Sequence, residues 1–462
     1  MNNVFIEHCR LLEVHQAIKR IISIWNDART KKMLLDKLRT TIHFIRDEHI
    51  SAVQSTVQSP SIQDEACQQI DGDCQQLLDY TDAVGRFKLD IDSRSKDRII
   101  SFGEKLSCRL MTAMLKDRQV DAGYIDLSDV MFLSGSDYPQ QKYFRRVANI
   151  LGNHISACDA RVPVITGFFG SVPGGLLDGG IARGYSDVCA ALVAVGLKAE
   201  KMRIWKEVDG ILTANPTEVP NARLLATITP EEANELTFYG SEVVHHLSLS
   251  LALQAVPRIE VSIKNVLDPS GHGTLIIPDT PKFFDGQRMP MDTSVGETGN
   301  MSTVTNPNFP NATAITIKRN ITALNIYSNR KFMSHGFFAR VFSIMEGCNI
   351  SVDLISTSEV YISMAIHTSD AEESRVSDAR LLLGEVARVN TLPHMAILSL
   401  VGRQLKHMTG IAGKMFSVLG DHGVNIEMIS QGRHLFSFQS FSSSDPEARL
   451  PTGLVTENLQ VY

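Results

Sequence analysis

Residues 166–187 read TGFFGSVPGGLLDGGIARGYSD, and this glycine-dense stretch decides the fold. An apolar run, 188–197, follows directly, so the chain passes from a strand through an open glycine loop into a helix. Arg183, Ser186 and Asp187 gather where that helix starts. Free backbone N–H groups and the positive end of the helix dipole would hold an anion there, because glycine lets a charged ligand approach the main chain. The alternative interpretation is a plain N-cap at Ser186 or Asp187 beside a surface arginine.

Length and composition are those of a multidomain globular protein. The 462 residues exceed one ordinary core and predict two or three domains. A hydrophobic content of 43% and a charged content of 21% are typical of a soluble protein, and a net charge of -6 argues against a nucleic-acid partner. No apolar run approaches the roughly 18 residues that span a bilayer. The acidic residues Glu7, Glu13 and Asp27 argue against a secretory or organellar leader. We therefore expect no membrane partner and a cytoplasmic location.

Residue types that bind metals or form disulfides follow no recognisable pattern. The seven cysteines are scattered without a C-x-x-C pair, which predicts reduced, mostly buried thiols. His245 and His246 would point about 100° apart on a helix and make poor co-ligands. His272 lies between two glycines and is predicted to be a turn residue. No dedicated metal site is expected.

The first part of the chain predicts an α/β fold. Residues 4–87 have helical apolar spacing with no glycine before Gly72, and a further amphipathic segment covers 98–115. Residues 123–127 and 162–166 are short, apolar runs, as expected for buried strands. Strands that alternate with helices predict a largely parallel sheet, whose ligand site lies at the carboxyl ends of the strands.

Residues 278–312 are rich in Pro, Gly, Asn, Ser and Thr, which predicts a linker. A strand at 202–205 precedes a charged turn, and further strands are predicted at 258–266 and 274–277. Thr229-Pro230-Glu231-Glu232 predicts a helix start, with Thr229 as N-cap and Glu232 closing a capping box. We assign that box no chemistry.

An internal duplication follows the linker. Each copy places a small residue before a helix and an Asn-Ile step before the next strand, which predicts two βαβ-type modules with open edges. The predicted strands and helices are 315–326, 338–346, 349–355 and 359–364 in the first copy and 395–400, 410–419 and 424–429 in the second.

Six motifs, in this order, resemble those of fungal aspartate kinases, which are amino-acid kinases with two C-terminal ACT domains. The motifs are SFGEKLS at 101–107, TGF at 166–168, RGYSD at 183–187, WKEVDGI at 205–211, TFYGSEV at 237–243 and SVDLISTSEV at 351–360. The resemblance extends to about residue 431. It implies an α/β amino-acid kinase fold, a largely parallel sheet between helices, followed by tandem ACT domains of α+β, ferredoxin-like fold.

The resemblance implies phosphorylation of the side-chain carboxylate of L-aspartate by ATP, the entry step to threonine, methionine and isoleucine. Arg183 would form a two-pronged salt bridge with an aspartate carboxylate, a task that suits a planar guanidinium. Glu104 would meet the amino group, Thr166 would join the substrate site, and Ser186 and Asp187 would lie at the reacting end. Without the resemblance, Glu104 would be interpreted as an exposed helix carboxylate.

The resemblance also implies a nucleotide site, a regulatory site and a homo-oligomer formed through the ACT domains. Mg²⁺ would arrive with the nucleotide. The nucleotide residues would be Lys206, Glu207, Leu212, Asn215, Thr217, Gly240, Ser241 and Glu242. The regulatory residues would bind an amino-acid effector, usually threonine in fungi, or line the dimer contact; ordinary turn and strand packing is their alternative interpretation. These residues are Ser334, Gly336, Phe337, Phe338, Asp353, Thr357 and Ser358.

The chain departs from the family pattern in four places. It lacks the family's Lys-Phe-Gly-Gly-Thr-Ser segment, Asn215 replaces an aspartate, His246 replaces a proline, and residues 433–462 do not read as the final ACT strands. Two interpretations follow: an aspartate kinase, including a paralogue serving a fungal secondary-metabolite pathway, or a catalytically weak ACT-bearing partner of a complete kinase. We favour the first because the other motifs are intact, and expect little turnover without the lysine.

These patterns predict five successive regions. They are a helical part of the kinase domain at 1–95, the kinase core at 96–280, a linker at 281–312, a first ACT domain at 313–390 and a second at 391–462.

Overall fold

The computed structural model forms two compact units, one from residues 1–204 and 244–262 and the other from 205–243 and 263–462. Within them the structure describes residues 31–87, 93–130, 141–159, 161–170, 184–238, 244–277, 283–284, 287–288, 313–328, 336–348, 350–358, 361–368, 373–402, 405, 410–431 and 435–441.

Three successive helices come first among the described elements, and strands and helices follow in mixed order. Up to residue 277 the elements are α1 (Lys31–Thr56), α2 (Pro60–Phe87), α3 (Ser93–Asp117), β1 (Ala122–Ile125), α4 (Gln141–Ser156), β2 (Val162–Ile165), α5 (Tyr185–Gly196), β3 (Lys201–Lys206), β4 (Thr227–Ile228), α6 (Pro230–Phe238), α7 (His246–Leu253), β5 (Glu260–Asn265) and β6 (Thr274–Ile276). The later elements are β7 (Phe283–Phe284), β8 (Gln287–Arg288), β9 (Ala314–Ser328), α8 (Phe337–Gly347), β10 (Leu354–Thr357), β11 (Tyr361–His367), α9 (Glu373–Gly384), β12 (Ala387–Val401), α10 (Ile411–Asp421), β13 (Ile426–Gln431) and β14 (Leu435–Phe441).

The helical interpretation of the N-terminal region is confirmed for its described part. Leu38, Ile42 and Ile45 recur on one face of α1 and are buried, as are Ile70 and Leu77 on α2. Apolar residues at this spacing form a stripe, and the stripes of α1, α2 and α3 share one core. The amphipathic segment predicted at 98–115 lies within α3.

Parallel strand pairs confirm the predicted α/β class. Strands β1 and β2 pair in parallel, with Ile125 opposite Ile165, so their carboxyl ends meet at one edge. Strands β4 and β6 also pair in parallel, in a sheet of order β3-β5-β6-β4. Strand β2 is less buried than predicted, since Val162 is 38% exposed at its first position.

Helices α4 and α5 pack with their main chains in contact. A Cβ atom added to Gly196 would lie 2.1 Å from the carbonyl oxygen of Ala148, and one added to Gly152 would lie 2.6 Å from the carbonyl oxygen of Gly196. Neither glycine tolerates a side chain without moving a helix backbone. The close contact sets the position of α5, and therefore of its N-terminal turn.

Replacing Gly196 with alanine is expected to lower the free energy of unfolding by about 1–3 kcal/mol, because the methyl group overpacks this crossing. Urea unfolding followed by circular dichroism measures the change. Gly72→Ala on α2 is the matched control: no atom lies within 4 Å of its added Cβ, so it should be neutral or stabilising. Equal unfolding midpoints for the two variants would contradict the prediction.

The capping box at the start of α6 is confirmed. The Glu232 carboxylate accepts hydrogen bonds from Thr229 N at 3.1 Å and Thr229 Oγ1 at 2.8 Å, and Thr229 Oγ1 accepts one from Glu232 N at 3.3 Å. Pro230 is the first helical residue. His272 is exposed and directly follows the turn that the hydrogen bond from Gly271 N to Asp268 O closes, so the predicted turn ends one residue earlier.

The cysteines of the described residues are free, but they are less buried than predicted. Only Cys74 and Cys189 are fully buried, while Cys67, Cys108 and Cys158 are half-buried. Cys348 is also half-buried. Burial raises the pKa of Cys74 and of Cys108 to about 12, so both thiols stay protonated at neutral pH.

The duplicated region forms a six-stranded sheet of order β10-β11-β9-β12-β14-β13. Strands β9 and β12 are 15 residues long and pair with each other, while β11 flanks β9 and β14 flanks β12. Register shifts interrupt the β9–β12 pairing between Leu392 and Ile397. Each copy therefore contributes one long strand to a shared sheet, and α9 is a helix that the sequence analysis missed.

The expectation that residues 433–462 lack ACT strands is wrong for β14. This strand pairs in antiparallel fashion with β12 on one side and β13 on the other. Main-chain hydrogen bonds to two neighbours fix it without requiring the apolar alternation that we looked for. Residues 442–462 lie outside the described residues.

Candidate active site

The glycine loop ends at a helix start built by Gly184. Gly184 is the N-cap of α5, with a φ of 83° and no side-chain capping bond, so the N-cap interpretation of Ser186 or Asp187 is wrong. Both residues lie instead in the first turn of α5. A Cβ atom on Gly184 would lie 2.9 Å from His245 Cβ, so both conformation and space require glycine here. Arg183 lies outside the described residues.

Glu104 and Ser186 meet at the carboxyl end of β2. A Cβ atom added to Gly167 would lie 2.8 Å from Ser186 Cβ and 2.9 Å from Glu104 Oε2. Helix α3 and the first turn of α5 therefore bring the Glu104 carboxylate and the Ser186 side chain to the same half-buried main-chain position. This is the edge of the sheet where the sequence predicts a ligand.

Tyr185 holds the other oxygen of the Glu104 carboxylate. Its hydroxyl donates a hydrogen bond to Glu104 Oε1 at 3.1 Å. Its ring is buried and packs edge-on against Phe168, with centroids 6.4 Å apart. Burial, and then the negative charge of Glu104, raise the pKa of Tyr185, so the phenol stays protonated as a donor.

Thr166 lies beside this edge, and its side chain points into the core. Its hydroxyl accepts a hydrogen bond from Leu127 N at 2.9 Å, and its side chain is buried. Cys189 Sγ donates to Thr166 O at 3.6 Å. Thr166 thus joins the ends of β1 and β2 and the helix α5, which fixes the loop that begins at Gly167.

Asp187 connects the α5 start to α7. Its Oδ2 accepts a long hydrogen bond of 3.4 Å from His245 N, and His245 Nδ1 in turn accepts one from Leu247 N and caps α7. His246 is the first residue of α7, where the family has proline, and its ring stacks on that of His245 at 4.5 Å. Burial lowers the pKa of His246.

A cation–carboxylate pair near this edge was missed by the sequence analysis. Lys105 Nζ lies 2.8 Å from Asp126 Oδ2, directly after β1. Burial alone would raise the pKa of Asp126, but hydrogen bonds from Lys105 and Ser128 outweigh it and lower the pKa. Lys105 and Asp126 are 21 positions apart, and no local spacing rule relates them.

The predicted nucleotide segment is a compact turn in the second unit. Asn215 Oδ1 accepts hydrogen bonds from Thr217 N at 3.1 Å and Thr217 Oγ1 at 2.8 Å. An aspartate would accept the same two bonds, so asparagine preserves this turn and removes one negative charge. Lys206 is the last residue of β3, and Glu207 is exposed. Leu212 pairs with Leu224 in an isolated antiparallel β-bridge. Gly240, Ser241 and Glu242 lie outside the described residues.

The same segment is bonded to strand β9. Ile315 N donates to Thr213 O at 2.8 Å, and Arg319 pairs with Glu218 at 2.9 Å. The hydroxyl of Thr313 donates to the second oxygen of the buried Glu232 carboxylate. The segment that precedes α6 and the long strand of the first module therefore belong to one compact unit.

The predicted effector residues are divided between core and surface. Gly336 is the N-cap of α8 with a φ of 80°, and Phe337 is buried in the core of the module, whereas Phe338 is 36% exposed. The Asp353 carboxylate pairs with Lys318 at 2.8 Å. Thr357 and Ser358 are exposed where β10 turns into β11, and Ser334 lies outside the described residues.

The described residues contain neither a metal-binding cluster nor a membrane-spanning helix. No three His, Cys, Asp or Glu side chains come close enough there to hold a metal ion. Within the same residues, every helix is too short or too polar to cross a bilayer.

Comparison with known proteins matches both halves of the chain. The amino acid kinase family matches residues 27–265, and the ACT domain matches residues 398–438. The aspartate kinase FUB3 of Gibberella fujikuroi is 53% identical over 430 residues, covering 93% of this chain and 84% of the relative. The aspartokinase of Saccharomyces cerevisiae is 42% identical over 397 residues, covering 85% of this chain and 74% of the relative.

A solved structure has a similar fold. Escherichia coli aspartokinase III in complex with aspartate and ADP superposes with a TM-score of 0.68 at 25% identity, over 93% of this chain and 87% of that one. Fold and family match together define an amino acid kinase that carries ACT modules. Within that class the similarity to fungal relatives is decisive, and the chain belongs to the aspartate kinases.

Proposed function

We propose that this aspartate kinase binds L-aspartate at the edge formed by Gly167, Glu104 and Ser186. The observation that carries the proposal is the approach of the Glu104 carboxylate and Ser186 to one glycine at the carboxyl end of β2. Glu104 binds the amino group of the substrate by charge pairing. Arg183 binds a substrate carboxylate through two parallel hydrogen bonds, and Thr166 keeps the loop in place.

The reaction transfers the γ-phosphoryl group of ATP to the side-chain carboxylate of aspartate. One carboxylate oxygen forms a bond to phosphorus while the bond between phosphorus and the β,γ-bridging oxygen breaks, and ADP leaves. Such transfers depend mainly on positioning and charge neutralisation, so Ser186 and Asp187 contribute by orienting the reacting end. Aspartokinase III was crystallised with aspartate and ADP, which supports this substrate pair.

ATP is held by the turn around Asn215 and Thr217 together with Lys206, Glu207 and Leu212, and by 240–242. Mg²⁺ arrives as the ATP complex, and it would neutralise charge on the phosphates. The asparagine turn supports this role because its main chain is fixed by the bonds that an aspartate would accept.

The duplicated ACT region senses an amino-acid effector, and threonine is the proposed ligand. Two of its candidate residues are suitably placed, since Gly336 lies at a helix start and Ser358 is exposed. Strands β10 and β13 are at the edges of the shared sheet, and such edges favour pairing with a second copy in a homo-oligomer. We propose that the enzyme acts in the cytoplasm.

Titration of the full chain with aspartate and with succinate tests the substrate proposal. Succinate keeps both carboxylates but has no amino group for Glu104, so its affinity should be lower by at least about tenfold. Calorimetry measures both affinities, and ATP-dependent hydroxamate formation reports the acyl phosphate. Absence of aspartate binding, or equal affinity for the two acids, would contradict the proposal.

A further inference from the structure

We propose that Tyr185 is a positioning residue that fixes the Glu104 carboxylate for the amino group of aspartate. The inference rests on the proposed function of Glu104. The Tyr185 phenol lies between the core and the edge of the sheet at Gly167. The hydrogen bond from Tyr185 to Glu104 Oε1, at 3.1 Å, carries the proposal.

The two oxygens of Glu104 have different surroundings. Oε1 accepts the Tyr185 hydrogen bond, while Oε2 is the atom that lies 2.9 Å from the position of a Cβ added to Gly167. Holding Oε1 therefore restricts rotation of the carboxylate and directs Oε2 to the edge where Ser186 lies. A preset carboxylate binds an ammonium group without the entropy loss of ordering a free side chain.

The Tyr185 hydroxyl is itself held in place. The ring is 7% exposed and belongs to the core that contains Phe168, Val188 and Leu192. Its backbone begins α5 directly after Gly184, and α5 is set by the close crossing at Gly196. A donor on a fixed ring can orient a carboxylate that belongs to another helix.

Tyr185→Phe removes the hydroxyl and keeps the ring, so packing is preserved. We expect the dissociation constant for aspartate to rise about tenfold, because a hydrogen bond to a charged group is lost. The affinity for ATP should not change, and neither should the midpoint of thermal unfolding beyond the small loss of one hydrogen bond. Calorimetry on the full chain measures both affinities.

Tyr124→Phe is the matched control. The Tyr124 hydroxyl is buried and has no hydrogen-bond partner among the described residues, and its ring lies over Arg109 at 3.8 Å. This variant should bind aspartate like the unsubstituted chain. If both variants weaken aspartate and ATP binding alike, Tyr185 is only a packing residue and the inference is wrong.

A double-variant cycle shows whether Tyr185 acts through Glu104. In a Glu104→Gln background, adding Tyr185→Phe should weaken aspartate binding much less than tenfold, because the group that the phenol orients has lost its charge. Full additivity would overturn the inference. If the unsubstituted chain binds aspartate and Tyr185→Phe binds it equally well, the inference alone is wrong. If the unsubstituted chain binds no aspartate, the proposed function fails and the inference falls with it.

Discussion

Glu104→Gln is expected to lower kcat/KM for aspartate on the order of 10²- to 10³-fold, because one electrostatic partner of the substrate is removed. Glutamine has nearly the shape of glutamate and can still accept from Tyr185, so the fold should persist. What it cannot provide is the negative charge that pairs with an ammonium group. Steady-state kinetics with varied aspartate, and calorimetry where turnover is low, measure the effect.

The control for this substitution is Glu65→Gln on α2. Glu65 is exposed and far in sequence from every substrate motif, and its contacts are with Gln69 and Lys116. It should leave both aspartate and ATP affinity unaltered. If Glu104→Gln behaves like Glu65→Gln, the half-buried Glu104 carboxylate has only a structural role, and the amino-group site lies elsewhere.

Gly167→Ala is expected to weaken aspartate binding by about 10²-fold, because small displacements of positioning residues cost that much. The added methyl group would meet Ser186 Cβ at 2.8 Å and Glu104 Oε2 at 2.9 Å, so both side chains must move away from it. Overpacking of this kind also costs about 1–3 kcal/mol of stability. Aspartate titrations at a temperature well below the unfolding midpoint separate the two effects.

Gly413→Ala on α10 supplies the comparison for Gly167→Ala. No atom lies within 4 Å of its added Cβ, and the residue is in the second ACT module. It should bind aspartate normally. An alanine at position 167 that left aspartate affinity intact would show that Glu104 and Ser186 do not act at this edge.

Local sequence signals predicted the elements that frame the site. Helical spacing identified α1 and α2, and short apolar runs identified β1 and β2. The capping box predicted for α6 was confirmed in both of its reciprocal hydrogen bonds, because such a box involves only four consecutive residues. These features depend on neighbours in the chain, which is why one sequence is enough to find them.

Contacts between distant residues were not predictable in this way. The hydroxyl of Tyr185 reaches Glu104 because α3 and α5 meet at one sheet edge, and Lys105 reaches Asp126 for a similar reason. Strand β14 was missed because its side-chain pattern is weak and its stability comes from pairing with β12 and β13. The N-cap at Gly184 was missed because glycine caps a helix through its backbone conformation and leaves no side-chain signal.

The long strands β9 and β12 limit how the protein can be dissected. Residues 321–327 of β9 pair with β11 in the first module, and residues 314–318 of the same strand pair with the part of β12 that β14 flanks. Removing either module would leave main-chain N–H and C=O groups of the other without hydrogen-bond partners. It would also expose a new strand edge that favours aggregation. For protein engineering, the two modules therefore have to be grafted or deleted together as one unit.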